Sequence, residues 1–98
     1  MIETPKVWLK FGSCIYQDFF AVHSEFYEGI QFALEGLSSS EKVELLDFVQ
    51  SVLSANLSNQ SLIDLWSNSG ALDVLVSDQM TAIYEVMSKA IEARIQNT

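Results

Sequence analysis

Apolar and polar positions follow each other along most of the chain with the three-to-four-residue spacing of amphipathic α-helices. The last third of the chain shows this spacing best, in Met80, Ile83, Tyr84, Met87, Ala90, Ile91 and Ile95. Only one proline and four glycines interrupt the chain, which disfavours a turn-rich all-β fold. The pattern therefore predicts an all-α fold, a compact bundle of four to five helices in which residues 1–98 form a single domain.

Local signals predict where the first two helices lie. Pro5 suits the beginning of the first helix, whose apolar residues continue as far as Phe20 unless Gly12 breaks it. Ser24 is a candidate N-cap for a second helix that runs to about Glu35.

Serines are expected to begin the later helices. Ser38 and Glu41 have the spacing of a capping box and predict a third helix that runs to about Ala55. Ser58 is expected to cap a shorter fourth helix, which carries Trp66 on its apolar face.

The stretch between the fourth and the last helix is ambiguous. Gly70 is expected to end the fourth helix or to lie in the loop after it. The segment Ala71–Val76 fits either a short extra helix or an extended stretch across the core, and Ser77 or Asp78 is expected to open the last helix.

Two of the predicted helices have an acidic side. In the second helix, at 100° per residue, one arc of about 100° holds the apolar residues Phe26, Ile30, Ala33, Leu34 and Leu37. A different arc of about 80° holds Glu25, Glu28 and Glu35. In the third helix, Glu44 and Asp47 lie opposite the apolar residues. We expect these carboxylates to face solvent.

The charge of the chain restricts its partners. Thirteen acidic and five basic residues give a net charge of −8, and Lys42 is the only Lys or Arg between Phe11 and Ser88. Such a chain repels nucleic acid and anionic membranes, and it attracts basic proteins. Because of this repulsion, we expect binding to neither nucleic acid nor membrane. An alternative explanation of the charge is that it only keeps a cytosolic protein in solution.

The sequence contains no recognisable set of catalytic or metal-ligating residues. Cys14 is the only cysteine and His23 the only histidine, too few to bind zinc and without an orienting third group for nucleophilic catalysis. Acidic pairs such as Glu25 and Glu28 lie on a predicted solvated face, whereas general acid–base catalysis requires a desolvated carboxyl group. The glycines are scattered and form no phosphate-binding loop. We expect neither enzymatic activity nor a cofactor.

The compartment follows from what the sequence lacks. A single cysteine allows no intramolecular disulfide. Residues 1–10 lack the apolar stretch of a signal peptide, and no apolar run approaches the roughly 20 residues that span a bilayer. We expect a cytoplasmic protein.

The two tryptophans lead to different expectations. Trp66 is expected in the core, while the position of Trp8 stays open. If the residues from Trp8 to Phe20 formed an exposed apolar patch, they could support a homodimer.

Two segments resemble a known family. One is the run Tyr16-Gln17-Asp18-Phe19 at the end of the first apolar segment, and the other is the serine-capped segment Leu57–Trp66. This order resembles the CdiI-type immunity proteins of bacterial contact-dependent growth inhibition systems. That family has an aromatic-or-His, Gln, Asp, aromatic run after its first helix, and a short helix with leucines three apart later on. The resemblance spans roughly residues 7–95, and Gln17 and Asp18 match the run as identities.

The resemblance implies a function in protein binding. Such proteins neutralise a toxin domain delivered by a neighbouring cell, and these toxins are often nucleases with basic clefts. The candidate partner-binding residues are Asp18, Glu25, Glu28, Glu35, Glu44 and Asp47, although Asp18 could instead cap the first helix. The alternative is an acidic helical adaptor that binds a partner helix in an apolar groove, with no toxin involved.

Overall fold

The structure, a computed structural model, describes residues 4–22, 25–73 and 75–96. The helices are α1 (Lys6–Gly12), α2 (Phe19–Val22), α3 (Phe26–Ala33), α4 (Ser39–Ser54), α5 (Asn59–Ser67) and α6 (Met80–Gln96). A single 3-10 turn, Leu34–Gly36, continues α3. The prediction of an all-α bundle is confirmed, and no strand occurs in the described ranges. None of the helices described is long and apolar enough to cross a membrane.

Helix α6 lies at the centre of the bundle. It packs against α3, α4 and α5, while α1 packs on α4 and α2 on α3. The face that α6 turns inward carries Met80, Tyr84, Met87, Ala90 and Ile91. Because residues spaced three and four apart share one helix face, the apolar pattern of this segment already defined that face.

The first predicted helix is broken at Gly12. Helix α1 ends there, Ser13 follows as its C-cap, and α2 begins only at Phe19. Four large apolar side chains of this region are fully buried, namely Trp8, Phe11, Ile15 and Phe19, whereas Leu9 and Tyr16 are exposed. The buried side chains form part of the core of the monomer and do not supply the exposed patch considered for a homodimer; dimerisation itself stays a prediction.

The serine caps predicted for the third and fourth helices are confirmed. The Ser38 hydroxyl accepts a hydrogen bond from the Glu41 N–H at 3.2 Å, and the Glu41 carboxylate accepts one from the Ser38 N–H at 2.8 Å. Ser58 accepts in the same way from the Ser61 N–H at 3.1 Å. These bonds satisfy N–H groups that have no partner within their own helix.

Two helix boundaries differ from expectation. Helix α3 ends at Ala33, before the 3-10 turn, and Glu25 is the residue before its start. The predicted cap Ser24 lies outside the described residues, as does His23. Helix α6 begins at Met80, two residues after Asp78. The Met80 N–H donates to the side-chain oxygen of Asn59 in α5 at 2.9 Å. Directly before the helix, the Gln79 N–H donates to the hydroxyl of the predicted Ser77 at 3.0 Å.

The segment after Gly70 is held by hydrogen bonds to distant parts of the chain. The Leu72 N–H donates to the Ile15 carbonyl at 2.9 Å, and the Asp73 carboxylate accepts from the Phe20 N–H at 2.8 Å. The Trp66 indole N–H donates to the Asp73 carbonyl at 3.0 Å. The described part of the segment 71–76 contains no helix. It runs instead alongside the chain between α1 and α2.

Trp8 is the centre of an aromatic cluster in the core. Its ring centroid lies 5.3 Å from Phe48, 6.2 Å from Tyr84 and 6.3 Å from Trp66. The indole N–H donates to the Leu65 carbonyl at 3.0 Å. Trp66 is in the core as predicted, and Trp8, whose position the sequence left open, is in the core as well.

A salt bridge joins the end of α1 to the start of α4. The Lys10 ammonium lies 2.8 Å from the Glu41 carboxylate, which also serves the capping box. The bond from Lys10, followed by that from the Ser38 N–H, lowers the pKa of Glu41 from 4.5 to about 2. Both donors favour the charged carboxylate over the protonated form.

The low pKa of Glu41 predicts a loss of stability in acid. Because its pKa is lower in the folded than in the unfolded protein, the stabilisation is complete above about pH 4.5 and is lost as the pH falls to about 2. We expect Glu41→Gln, which keeps a capping-box side chain, to show a weaker dependence of the urea midpoint on pH in this range. Glu44→Gln, which removes an exposed carboxylate that makes no ion pair with any described residue, should behave like the wild type. Equal slopes for Glu41→Gln and the wild type would contradict the assignment.

Candidate protein-binding surface

All six carboxylates predicted to bind a partner are exposed: Asp18, Glu25, Glu28, Glu35, Glu44 and Asp47. Among the described residues, Glu35 is the only one of the six with an ionic partner, the Arg94 guanidinium, whose nitrogen lies 3.3 Å away. The other five side chains make no ion pair within the described parts of the chain. These exposed charges have no ionic partner among the described residues, so a basic partner could pair with them.

The predicted residues lie on three separate elements of the fold. Asp18 is in the turn before α2, and Glu44 and Asp47 are on the outer side of α4. Of the other three, Glu25 directly precedes α3, Glu28 lies within it, and Glu35 lies in the 3-10 turn that follows it. The structure therefore divides the candidates into two acidic helix faces and one turn.

Helix α3 turns one face to the core and the other to solvent. Ile30 and Ala33 are buried, whereas Glu25, Glu28 and Glu35 are exposed. The predicted amphipathic division of this helix is thus confirmed.

Helix α3 also runs alongside α6. The Gln31 side chain donates to the Ala90 carbonyl at 3.4 Å, and Arg94 donates to Glu35. Glu35 follows Gln31 by four residues, and Arg94 follows Ala90 by four. The chain of α3 and its 3-10 turn therefore runs in the same direction as α6. These two contacts anchor the acidic face of α3 to the central helix of the bundle.

An aromatic side chain that the sequence pattern did not single out lies on this acidic face. Phe32 is 49% exposed, and it follows Glu28 by four residues and precedes Glu35 by three. Side chains at these spacings are neighbours on a helix surface. The Glu28, Phe32, Glu35 spacing could have revealed this position from the sequence, although not how far the ring is exposed.

A second exposed ring, Tyr16, lies close to Phe32, with the fully buried Phe19 ring between them. The Phe19 centroid lies 6.3 Å from that of Phe32 and 5.0 Å from that of Tyr16. The Tyr16 and Phe19 rings meet edge-on, at 70°. Tyr16 is 41% exposed. We name the exposed residues Tyr16, Glu25, Glu28, Phe32 and Glu35 the acidic–aromatic surface.

Asp18 has a structural role in the turn that leads to α2. Its φ angle of 62° lies in the left-handed region, which Asp tolerates better than most residues. Its carbonyl accepts hydrogen bonds from the Ala21 and Val22 N–H groups at 3.0 and 3.2 Å. The suggestion that Asp18 caps the first helix is wrong, because α1 ends at Gly12; its backbone instead begins α2.

Two depressions of the described surface differ in size and lining. The larger, of about 530 Å³, lies between α4 and α6, and its lining is mostly polar and charged: Gln50, Leu53, Ser54, Glu85, Ser88, Lys89 and Glu92. The more apolar one, of about 130 Å³, lies between the end of α4, α5 and the start of α6, lined by Val52, Leu53, Asn56, Leu57, Leu62 and Thr81. Ligand clefts usually have volumes of ~300–1,000 Å³, and a helix with its side chains is ~10 Å wide. This depression does not offer a partner helix the groove that the adaptor hypothesis requires.

The described residues contain no group of three or more His, Cys, Asp or Glu side chains that could hold a metal ion.

Comparison with protein-family models, with curated proteins and with solved structures identifies no match. The features that bear on function are therefore those of the molecule itself: a small all-α bundle with exposed carboxylates, two of which, Glu28 and Glu35, flank the exposed Phe32 ring on α3.

Proposed function

We propose that this chain is an immunity protein, which binds and neutralises a cognate toxin domain in the cytoplasm and catalyses no reaction itself. The toxin domain would be a basic nuclease, bound in a one-to-one complex. The observation that carries the proposal is the exposed face of α3, where Glu25 and Glu28 have no ionic partner within the described residues. A protein with a basic cleft would supply the missing partners.

Carboxylates and phosphates are recognised by the same groups. A nuclease cleft carries Lys and Arg to hold the phosphates of its substrate, and these side chains form short, charge-assisted hydrogen bonds with carboxylates as well. An acidic helix face inserted into such a cleft would compete with nucleic acid for the same donors. The proposed complex thus inhibits by occupying the substrate site.

Net charge supports the proposal through the rate of association. A chain of net charge −8 attracts a basic partner over distances comparable with the Debye length, ~10 Å at 0.1 M salt, and raises the association rate. Association is therefore expected to be fast at low salt and to slow steeply as salt increases. A complex held by an apolar groove would respond little.

The resemblance to CdiI-type immunity proteins supports the toxin as the partner. Tyr16, the first residue of the resembling run, is part of the acidic–aromatic surface, and the buried Phe19 at its end supports the two exposed rings. The charges favour a basic protein in general, and the resemblance favours a toxin domain among basic proteins.

The proposal predicts that charge reversal on α3 weakens the complex. The chain is co-expressed with the product of the reading frame immediately upstream in its genome, and the purified complex is measured by surface plasmon resonance. We expect Glu25→Lys/Glu28→Lys to raise Kd about ten-fold or more, because like charges would then meet at the interface. Isolation of a stable stoichiometric complex with a basic domain is the first requirement.

A matched variant separates local contacts from the change in net charge. Asp78→Lys/Glu85→Lys changes the net charge equally, at exposed residues without an ion pair in the described chain. We expect this control to slow association at low salt but to leave dissociation nearly unchanged. Equal effects of the two double variants would contradict binding through α3, and failure to form any complex would contradict the immunity function.

A further inference from the structure

We propose that the acidic–aromatic surface recognises arginine: a guanidinium of the partner stacks on the exposed Phe32 ring and pairs with the Glu28 carboxylate. This inference rests on the proposed function, in that the partner is a basic protein, and it specifies the side chain that the surface selects. The occupant is a protein segment that presents arginine.

The Phe32 ring is both accessible and supported. It is 49% exposed, and on its inner side it contacts the fully buried Phe19 ring at a centroid distance of 6.3 Å. Aromatic side chains with few rotatable bonds provide contact area at low entropic cost. The face of an aromatic ring is electronegative, and it attracts cations that approach within ~6 Å of its centroid.

Glu28 is the carboxylate available beside this ring. It lies one helical turn before Phe32, and it has no ionic partner in the described chain. Glu35, on the other side of Phe32, already pairs with the Arg94 guanidinium at 3.3 Å. That internal pair shows that a guanidinium fits against the carboxylates of this face, and it leaves Glu28 for an arginine of the partner.

The combination of a ring and a carboxylate favours arginine over lysine. The guanidinium is planar, so one face can stack on Phe32 while its edge donates two hydrogen bonds to a carboxylate. The lysine ammonium is a compact, strongly hydrated charge that cannot do both with the same geometry. A purely electrostatic surface would not distinguish the two side chains.

The preference can be measured with short peptides. Oligo-arginine and oligo-lysine peptides of equal length are titrated into the full chain at low salt and followed by calorimetry. We expect the arginine peptide to bind about two- to five-fold more tightly, the effect of an exposed cation–π contact. Amide NMR shifts should change in α3 around Phe32.

Variants of the ring and of its neighbours test the placement. Phe32→Leu keeps an apolar side chain without the ring, and we expect it to abolish the preference for arginine while lysine binding stays unchanged. Phe32→Tyr should retain the preference, and Glu28→Gln should weaken arginine binding more than Glu44→Gln does. Tyr27→Leu removes another exposed ring of α3, one that is 39% exposed, and should leave the preference intact.

Each outcome has a defined consequence. Equal affinity of the wild type for the two peptides, or no binding of either, would overturn the arginine inference. So would an unchanged preference in Phe32→Leu, and far-UV circular dichroism verifies that each variant is folded. None of these results would decide the proposed function, which depends on the complex with the toxin domain and its response to Glu25→Lys/Glu28→Lys.

Discussion

Replacing Trp8 with alanine is expected to lower the free energy of unfolding by about 3–5 kcal/mol, the range observed for truncation of a large core aromatic side chain. Trp8 is fully buried and contacts four aromatic rings. Its indole N–H also donates to Leu65 in the last turn of α5, where carbonyl groups lack partners within the helix. The substitution therefore leaves a cavity and removes a hydrogen bond.

Urea denaturation followed by far-UV circular dichroism measures this loss. Total stabilities of small domains are about 5–15 kcal/mol, so Trp8→Ala should unfold at a much lower urea concentration. The neighbouring residue Leu9 is 47% exposed, and Leu9→Ala should cost less than about 1 kcal/mol. Trp8→Phe, which keeps a ring but loses the N–H donor, should lie between the two. Equal losses for Trp8→Ala and Leu9→Ala would contradict the packing of α1.

Gly12→Ala is expected to destabilise the protein by about 3 kcal/mol, the upper end of the usual range for overpacking. A Cβ atom at this position would overlap the Ser69 carbonyl oxygen and would lie 2.6 Å from the Ser69 carbonyl carbon and 2.7 Å from its Cβ. These are backbone atoms and a Cβ of a buried residue, so no flexible side-chain end can move aside. Helix α1 would have to separate from the turn that follows α5.

Gly36→Ala is the matched control for this substitution. The nearest atom to a Cβ at Gly36 is the Cys14 sulfur, at 3.1 Å, which belongs to a half-buried side chain. The reduced entropy of the unfolded chain favours alanine by ~0.4–1 kcal/mol where the backbone allows it. We expect a net change within about 1 kcal/mol, measured by the same urea denaturation. Similar stabilities of Gly12→Ala and Gly36→Ala would show that α1 does not approach Ser69 so closely.

The two stability predictions concern the packing beneath the acidic–aromatic surface. Phe19, the buried ring between Tyr16 and Phe32, lies 5.1 Å from Phe20, whose ring lies 6.1 Å from Trp66. Trp66 in turn contacts Trp8. The exposed rings thus rest on a continuous series of core aromatics, so their positions depend on the same packing that the Trp8 variants disturb.

Local sequence signals determined most of the helices. The Ser38–Glu41 capping box and the Ser58 cap are confirmed because the hydrogen bonds involved join residues three apart, so the sequence spacing contains the whole interaction. The apolar face of α6 and the amphipathic division of α3 follow from helical geometry in the same way. The excess of acidic residues is likewise a property of the sequence alone.

Contacts between distant residues decided the rest. The break after Gly12 accompanies the close approach to Ser69, the start of α6 is bonded to Asn59, and the segment after Gly70 is bonded to Ile15 and Phe20. No local spacing reports such contacts, because they arise only when the helices pack. For the same reason the sequence predicted the carboxylates of α3 as exposed, but only the tertiary structure showed that Phe32 stays exposed among them while Trp8 is buried.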